Sequence, residues 1–270
     1  MALPLDLPFF VDLFAIYAIM LVVTLSLNLE FGYAGVPNFG KVLAVAGGAY
    51  VVGYLPGRLA MSLLNVGAGM EYTEQSWKIV SEINSILAND PALSLSLFGL
   101  TLIIAALAGA ALGYIASYPA MRLREDYPAM TLLAMGEGIR IIGENYTPLV
   151  GGQLPVAVPD PFRWVGDRYL AVTVVLAVFA ILTLAYLELL LRSPLGRTLR
   201  AMRDSEDAAR ALGKDVVKLR MKVLVVGSAI GAIGGALHAF YVVSVYSSAY
   251  ERVTWTFWPW AMVVLGGAAN

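Results

Sequence analysis

Two oppositely charged residues interrupt an apolar stretch near the middle of the chain. Glu137 and Arg140 stand three residues apart within Pro128–Ile142, so on a helix they share one face and can form an ion pair. A lone charge at the centre of a membrane helix costs about 2.5–3.5 kcal/mol, and the pair is therefore expected to face protein or water. It either gates a path for a solute or ties two helices together, and the sequence leaves both interpretations open.

A second cluster combines glycines with polar residues beside an apolar stretch, in GYAGVPNFGK at 32–41. Three glycines and a proline disfavour a regular helix here, and interrupted helices in transporters leave backbone groups free to contact a solute. We therefore predict that Asn38 and Lys41 face a solute path. The alternative is a turn whose Lys41 reaches out to the membrane interface. The candidate path residues are Gly32, Tyr33, Gly35, Asn38, Gly40 and Lys41.

Two short helices are predicted within the basic segment 192–222, one beginning at Pro194 and one capped by Ser205. Acidic residues open the second helix, where the helix dipole favours them, and a glycine ends it. Its residues of interest are Glu206, Asp207, Ala208, Ala209, Leu212 and Gly213. Ala208, Ala209 and Leu212 share a face that suits close packing into a groove of another protein. Alternatively, the segment lies on anionic lipid.

Long apolar stretches must position these residues. The chain of 270 residues is 59% hydrophobic and only 14% charged, whereas soluble domains carry about 25% charged residues. Five stretches are long enough to cross a hydrocarbon core of about 30 Å. They are Phe9–Leu29, Val36–Leu55, Ser94–Ser117, Leu170–Leu191 and Met221–Tyr246. Pro128–Ile142 and Thr256–Asn270 are shorter candidates, so we predict a single all-α, polytopic transmembrane bundle over 1–270 with about six or seven membrane segments.

The distribution of basic residues predicts the orientation of this bundle. The segment 192–222 holds nine of the 18 lysines and arginines, which places it in the cytoplasm because cytoplasmic loops retain positive charge. Alternating crossings then put the loops 56–93 and 143–169 outside, together with all five tryptophans, provided that Pro128–Ile142 crosses. Within the first outer loop, residues 71–90 show helical spacing of apolar residues and form either an amphipathic surface helix or a solvated loop.

Small residues recur along the last long apolar stretch. Gly227, Gly231 and Gly235 form one smooth stripe that predicts helix packing, within this subunit or against a partner.

The sequence has no cysteine and one histidine, His238. This excludes thiol nucleophiles, iron–sulfur clusters and histidine-rich metal sites, and we predict neither a catalytic residue nor a metal site.

Several sequence blocks carry a family resemblance. Asp207-Ala208-Ala209 with Gly213 resembles the EAA loop of ABC importer permeases, with aspartate where glutamate is usual. The surrounding SPLGRTLRAMRDSEDAARALG and GSAIGAIGGALHA are similar to permease subunits of branched-chain amino acid importers. So are LNLEFGYAGVPNFGKVLAVAGGAY near the N-terminus and YPAMTLLAMGEGIRIIGENYTPLVGG in the middle. The first two strings follow one another and form one block, so three separated blocks stand in matching order between about Leu27 and Gly267.

The resemblance implies a multi-pass permease in a prokaryotic cytoplasmic membrane that translocates branched-chain or related amino acids. Its implied partners are a second permease, two cytoplasmic ATP-binding subunits and an extracytoplasmic solute-binding protein. In that scheme the helix at Asp207–Gly213 is the coupling helix, and ATP–Mg²⁺ belongs to the partner subunits. This chain has no G-x-x-x-x-G-K-[ST] loop, so we expect no enzymatic activity and no cofactor of its own.

Other interpretations remain open at this point. Permeases for amides, urea or sugars could share the fold, and a self-contained secondary transporter or channel could use Glu137, Arg140 and Lys41 as an ion-coupled site. A membrane scaffold without a solute is a third possibility. Relatives continue through further apolar helices after AMVVLGGAAN, so we expect either that the chain is incomplete at its C-terminal end or that its final segment packs as a half-crossing.

Overall fold

The chain folds as a helical bundle. A computed structural model describes residues 7–67, 69–120, 123 and 127–268. The helices are α1 Leu7–Leu27, α2 Lys41–Leu64, α3 Tyr72–Leu87, α4 Pro91–Ala120, α5 Tyr127–Asn145, α6 Thr147–Val150, α7 Arg168–Arg192, α8 Pro194–Asp204, α9 Glu206–Ala211, α10 Val216–Val242 and α11 Trp258–Gly266. Short elements are the π-helical turns Asn28–Tyr33 and Val253–Phe257, the 3₁₀ turn Ser247–Ala249, and the antiparallel strands β1 Val156–Ala157 and β2 Ser244–Val245. The predicted all-α class is confirmed.

Five helical stretches in the described ranges are long and apolar enough to cross a membrane. They are Leu7–Tyr33, Lys41–Leu64, Pro91–Pro119, Arg168–Arg192 and Val216–Val242, and they match the five predicted long spans. The second differs most from its predicted bounds. It begins at Lys41 because the preceding residues are not helical, and it continues through Pro56 to Leu64. The first part of the predicted loop 56–93 is therefore helix, as membrane helices tolerate an internal proline.

Helices α2 and α10 form the centre of the bundle, whereas most of α7 is exposed at the periphery. The stripe on α10 explains the close central packing. A side chain at Gly227 would clash with the Glu30 carboxylate, and one at Gly235 would clash with the backbone of α2 at Val45. Gly231 faces the Lys41 side chain. The three glycines therefore pack within this chain, where small residues let helix backbones approach closely.

The predicted loops 56–93 and 143–169 pack together at one end of the bundle. Helix α3 buries Ile79 and Ile83 and donates the Tyr72 hydroxyl to the Ala157 carbonyl of β1 at 2.7 Å. Arg168, at the start of α7, donates to the Tyr241 carbonyl at 2.9 Å. The amphipathic helix predicted in 71–90 is thus present as α3, and it is folded onto the bundle rather than solvated on all sides.

The opposite end of the bundle carries α8 and α9, and the C-terminal segment returns to it. The Val42 amide donates to Thr256 Oγ1 at 3.0 Å, and Trp260 Nε1 donates to the Asn38 carbonyl at 2.9 Å. Trp260 therefore lies at the end that carries the basic segment, and the prediction that all five tryptophans lie at the other end is wrong. The predicted segment Thr256–Asn270 is an α-helix only over Trp258–Gly266, with Asn270 outside the described residues.

Candidate functional site

A fully buried ion pair lies where α1, α2 and α10 meet. Glu30 belongs to the π-helical turn after α1, and Lys41 is the first residue of α2. Lys41 Nζ lies 2.9 Å from Glu30 Oε1 and donates to the Gly227 carbonyl at the same distance. Asn38 Nδ2 donates to Glu30 Oε2 at 2.9 Å. Every partner of this pair comes from the chain itself, so the charges are compensated without a ligand.

This burial changes the interpretation of the glycine-rich segment. The alternative of a lysine that reaches the membrane interface is wrong, because Lys41 is completely buried. Asn38 is also buried, and it accepts a hydrogen bond from the Gly40 amide at 2.9 Å. The assignment of these residues to a solute path stays a prediction, since the contacts described for them are all internal. Glu30 was missed, although a carboxylate one residue beyond an apolar span is a visible signal.

The other candidate path residues connect this network to the basic segment. Arg203 of α8 donates to the Gly32 carbonyl at 2.8 Å, and its side chain packs against Gly35, whose φ is +69°. Gly40 packs against the Leu132 backbone of α5, and Tyr33 is half-buried. A movement of α8 would therefore be transmitted directly to the interrupted segment between α1 and α2.

A second charged cluster lies on α5. Arg140 pairs with Glu137, as their spacing indicates, and also with Glu144 on the next turn. Arg252, from the returning C-terminal segment, lies 3.9 Å from Glu137. The side chains of Glu137, Arg140 and Glu144 keep 25%, 29% and 20% of their surface exposed. Unlike the Glu30–Lys41 pair, this cluster is open at the surface of the chain.

The basic segment contains the two predicted helices. Helix α8 begins with Pro194 and buries Leu199 and Met202 against the bundle. Ser205 caps α9 by accepting a hydrogen bond from the Ala208 amide at 3.3 Å. Gly213 follows the helix with φ +75°, a left-handed conformation that suits glycine.

The exposed face of α9 differs from the predicted patch. Ala209 is buried against this chain, so it cannot belong to a surface that enters another protein, and that part of the prediction is wrong. Ala208 and Asp207 are exposed, and the Leu212 side chain at the end of the helix is 78% exposed. Glu206 fixes the helix to α10, because its Oε2 atom lies 2.8 Å from the Arg220 guanidinium. Helix α9 is therefore a small knob that is fixed on one side and free on the other.

The five membrane-length helices indicate a multi-pass membrane protein. Comparison with known proteins specifies the class. Residues 9–270 match the family described as the branched-chain amino acid transport system permease component, and the chain belongs to this family.

Named relatives agree with the family. The chain is 41% identical over 256 residues to the probable branched-chain amino acid transport permease protein LivM of Methanocaldococcus jannaschii, covering 94% of this chain and 74% of that protein. It is 28% identical over 195 residues to the high-affinity branched-chain amino acid transport system permease protein LivM of Salmonella typhimurium, and 29% identical to that of Escherichia coli. Each of these matches covers 62% of this chain and 45% of the relative. No solved structure matches the chain.

Proposed function

We propose that this chain is one permease subunit of an ATP-driven importer in a prokaryotic cytoplasmic membrane. Its partners would be a second permease, two cytoplasmic ATP-binding subunits and an extracytoplasmic solute-binding protein. The solute would be a branched-chain or related amino acid, as the names of the relatives suggest. ATP–Mg²⁺ would bind to the partner subunits, and the permease would supply the path.

The single observation that carries this proposal is the geometry of α9. The helix offers Ala208 and Leu212 to a partner, while Ala209 is buried against the chain and Glu206 pairs with Arg220 of α10. A partner that pushes on such a knob moves it as a rigid body together with α8. Arg203 then carries the displacement to the Gly32 carbonyl and so to the segment that joins the two membrane helices α1 and α2.

The test replaces Leu212 with glutamate and measures assembly and transport. In the complex with its ATP-binding subunits, Leu212→Glu places a charge in an apolar contact, which costs several kcal/mol when the charge is unpaired. We expect the ATP-binding subunits to be lost on co-purification, and ATP-driven leucine uptake into proteoliposomes to fall with them. The variant is also expected to fold normally, since Leu212 contacts little of its own chain.

Leu154 offers a matched control because its side chain is 74% exposed at the opposite end of the bundle. We expect Leu154→Glu to retain the ATP-binding subunits in full. Normal assembly and uptake with Leu212→Glu would contradict the coupling role of α9. Uptake driven by an ion gradient in the absence of any ATP-binding subunit would contradict the importer class itself.

A further inference from the structure

The charged cluster lies toward the end of α5, on a partly exposed side of the helix. Helix α5 runs alongside α2 in the same direction, with Leu132 beside Gly40 and Gly143 beside Tyr50. Arg140 lies between these two contacts. Wherever these charges lie in a membrane protein, they face protein or water, because hydrocarbon does not solvate them. The exposed side of the cluster must therefore be covered by protein and water in the assembled transporter.

A buried hydroxyl next to this cluster has no hydrogen-bond partner. Tyr50 is 3% exposed, and its hydroxyl finds no partner among the described residues. The hydroxyl packs beside Gly143 of α5, the residue that precedes Glu144 of the cluster. Since buried hydroxyls are nearly always hydrogen-bonded, Tyr50 can donate a hydrogen bond to, or accept one from, water or a solute that reaches it.

The charges of the cluster are balanced, and this selects the chemistry of a ligand. Arg140 and Arg252 face Glu137 and Glu144, so two cations meet two carboxylates. A zwitterion adds one charge of each sign and leaves the balance unchanged, whereas an anion or a cation alone would add an unbalanced charge to the cluster. The guanidinium group of an arginine can bind a carboxylate in a bidentate manner, and a glutamate can accept hydrogen bonds from an ammonium group.

We propose that the cluster of Glu137, Arg140, Glu144 and Arg252, with the Tyr50 hydroxyl, lines the solute path and binds the α-ammonium and α-carboxylate groups of an amino acid. The inference deepens the proposed function and depends on it. In the resting chain the glutamates and arginines bond to one another, and the zwitterion exchanges these contacts for its own. The apolar side chain of the solute would then face exposed residues of α5 such as Ile141 and Ile142.

The natural absence of cysteine allows a direct test. Ile141→Cys introduces a thiol beside the cluster at a position that is 48% exposed in the isolated chain. Ile103→Cys is the matched control on α4, where the side chain is 61% exposed. Both variants are assembled with their partner subunits in proteoliposomes and treated with a charged, water-soluble methanethiosulfonate. We expect rapid labelling of the Ile141→Cys variant only. The thiol of the Ile103→Cys variant, on the exposed side of the membrane-length helix α4, is expected to lie in hydrocarbon, where it does not ionise and does not meet the reagent.

Ligand protection identifies the chemistry. Leucine at about ten times its Kd is expected to slow the labelling of the Ile141→Cys variant about tenfold. Leucine amide, which lacks the carboxylate, and 4-methylpentanoate, which lacks the ammonium group, are expected to give little protection at the same concentration. Equal protection by either compound would overturn the assignment to a zwitterion.

Uptake measured on the same preparations separates this inference from the proposed function. If ATP-driven leucine uptake is normal and the Ile141→Cys variant is not labelled, the path does not pass the cluster and the inference is wrong. If the unmodified complex shows no ATP-driven uptake at all, the proposed function is wrong, whatever the labelling shows.

Discussion

The two charged clusters of this protein differ in how completely the chain itself satisfies them. Glu30 and Lys41 are fully buried. Glu30 accepts hydrogen bonds from Lys41 and Asn38, and Lys41 also donates to the Gly227 carbonyl. The α5 cluster is held mainly by contacts between neighbouring turns of one helix and stays partly exposed beside an unpartnered hydroxyl. The two clusters therefore suit different roles. A closed network fixes helices in place, whereas an open cluster is available to a solute.

The largest effect is expected from breaking the closed network on one side. Lys41→Met leaves the Glu30 carboxylate buried and unpaired, which typically costs about 3–5 kcal/mol. We expect a large loss of thermal stability in the detergent-solubilised protein, measured by its melting temperature. Glu30→Gln combined with Lys41→Met is the control, because it removes both charges and keeps an acceptor for Asn38. If the double variant is as unstable as Lys41→Met, uncompensated charge is not the cause.

A smaller effect is expected from crowding the same network. Gly227→Ala places a methyl group against the Glu30 carboxylate, and such overpacking costs about 1–3 kcal/mol. Gly138→Ala is the matched control, since a side chain at that α5 position meets open space. The Gly138→Ala substitution is expected to stabilise α5 by up to about 1 kcal/mol, because alanine has a higher helix propensity than glycine. Equal melting temperatures for the two variants would contradict the packing described for Gly227.

Neutralising the open cluster is expected to affect stability less than it affects transport. Arg140→Gln removes contacts between partly exposed side chains, so its cost to the free energy of unfolding is expected to be about 1 kcal/mol or less. Leucine uptake by the assembled transporter is nevertheless expected to fall about tenfold or more, because a lost charge-assisted contact costs about 1.5–3 kcal/mol. A melting temperature that falls as far as that of Lys41→Met would make the α5 cluster a second structural network.

The smallest effect is expected from an ion pair on the periphery. Glu188 and Arg192 have the same spacing on α7 as Arg140 and Glu144 on α5, but both are exposed. Glu188→Gln is expected to change the free energy of unfolding by about 0.5 kcal/mol or less and to leave uptake unchanged. A clear loss of uptake in Glu188→Gln would show that ion pairs of this spacing are required for transport regardless of their position in the bundle.

Features encoded locally in the sequence could be predicted. The five long spans follow from hydropathy, the Glu137–Arg140 contact follows from helical spacing, and the Ser205 cap follows from the chemistry of helix ends. The residues involved are close in sequence, so helix geometry alone brings them together. The membrane segments and the position of α9 were therefore visible without a structure.

Features that depend on packing between distant segments could not be predicted. The partners of Lys41 include a backbone carbonyl 186 residues away, and no local pattern reveals such a contact. The burial of Ala209 depends on how α9 docks on its own bundle, since an alanine is equally suited to either environment. Trp260 was misplaced for a related reason. Its indole follows the returning C-terminal segment, and neither hydropathy nor charge indicates that return.

The most direct test of the difference between the two clusters compares two neutralised variants in one reconstituted transporter. One carries Glu30→Gln and Lys41→Met, and the other carries Glu137→Gln, Arg140→Gln and Glu144→Gln. With both complexes assembled, we expect ATP-driven leucine uptake to persist in the first and to be lost in the second. Persistent uptake in the second variant, or its loss in the first alone, would contradict the division between a structural network and a solute-binding cluster.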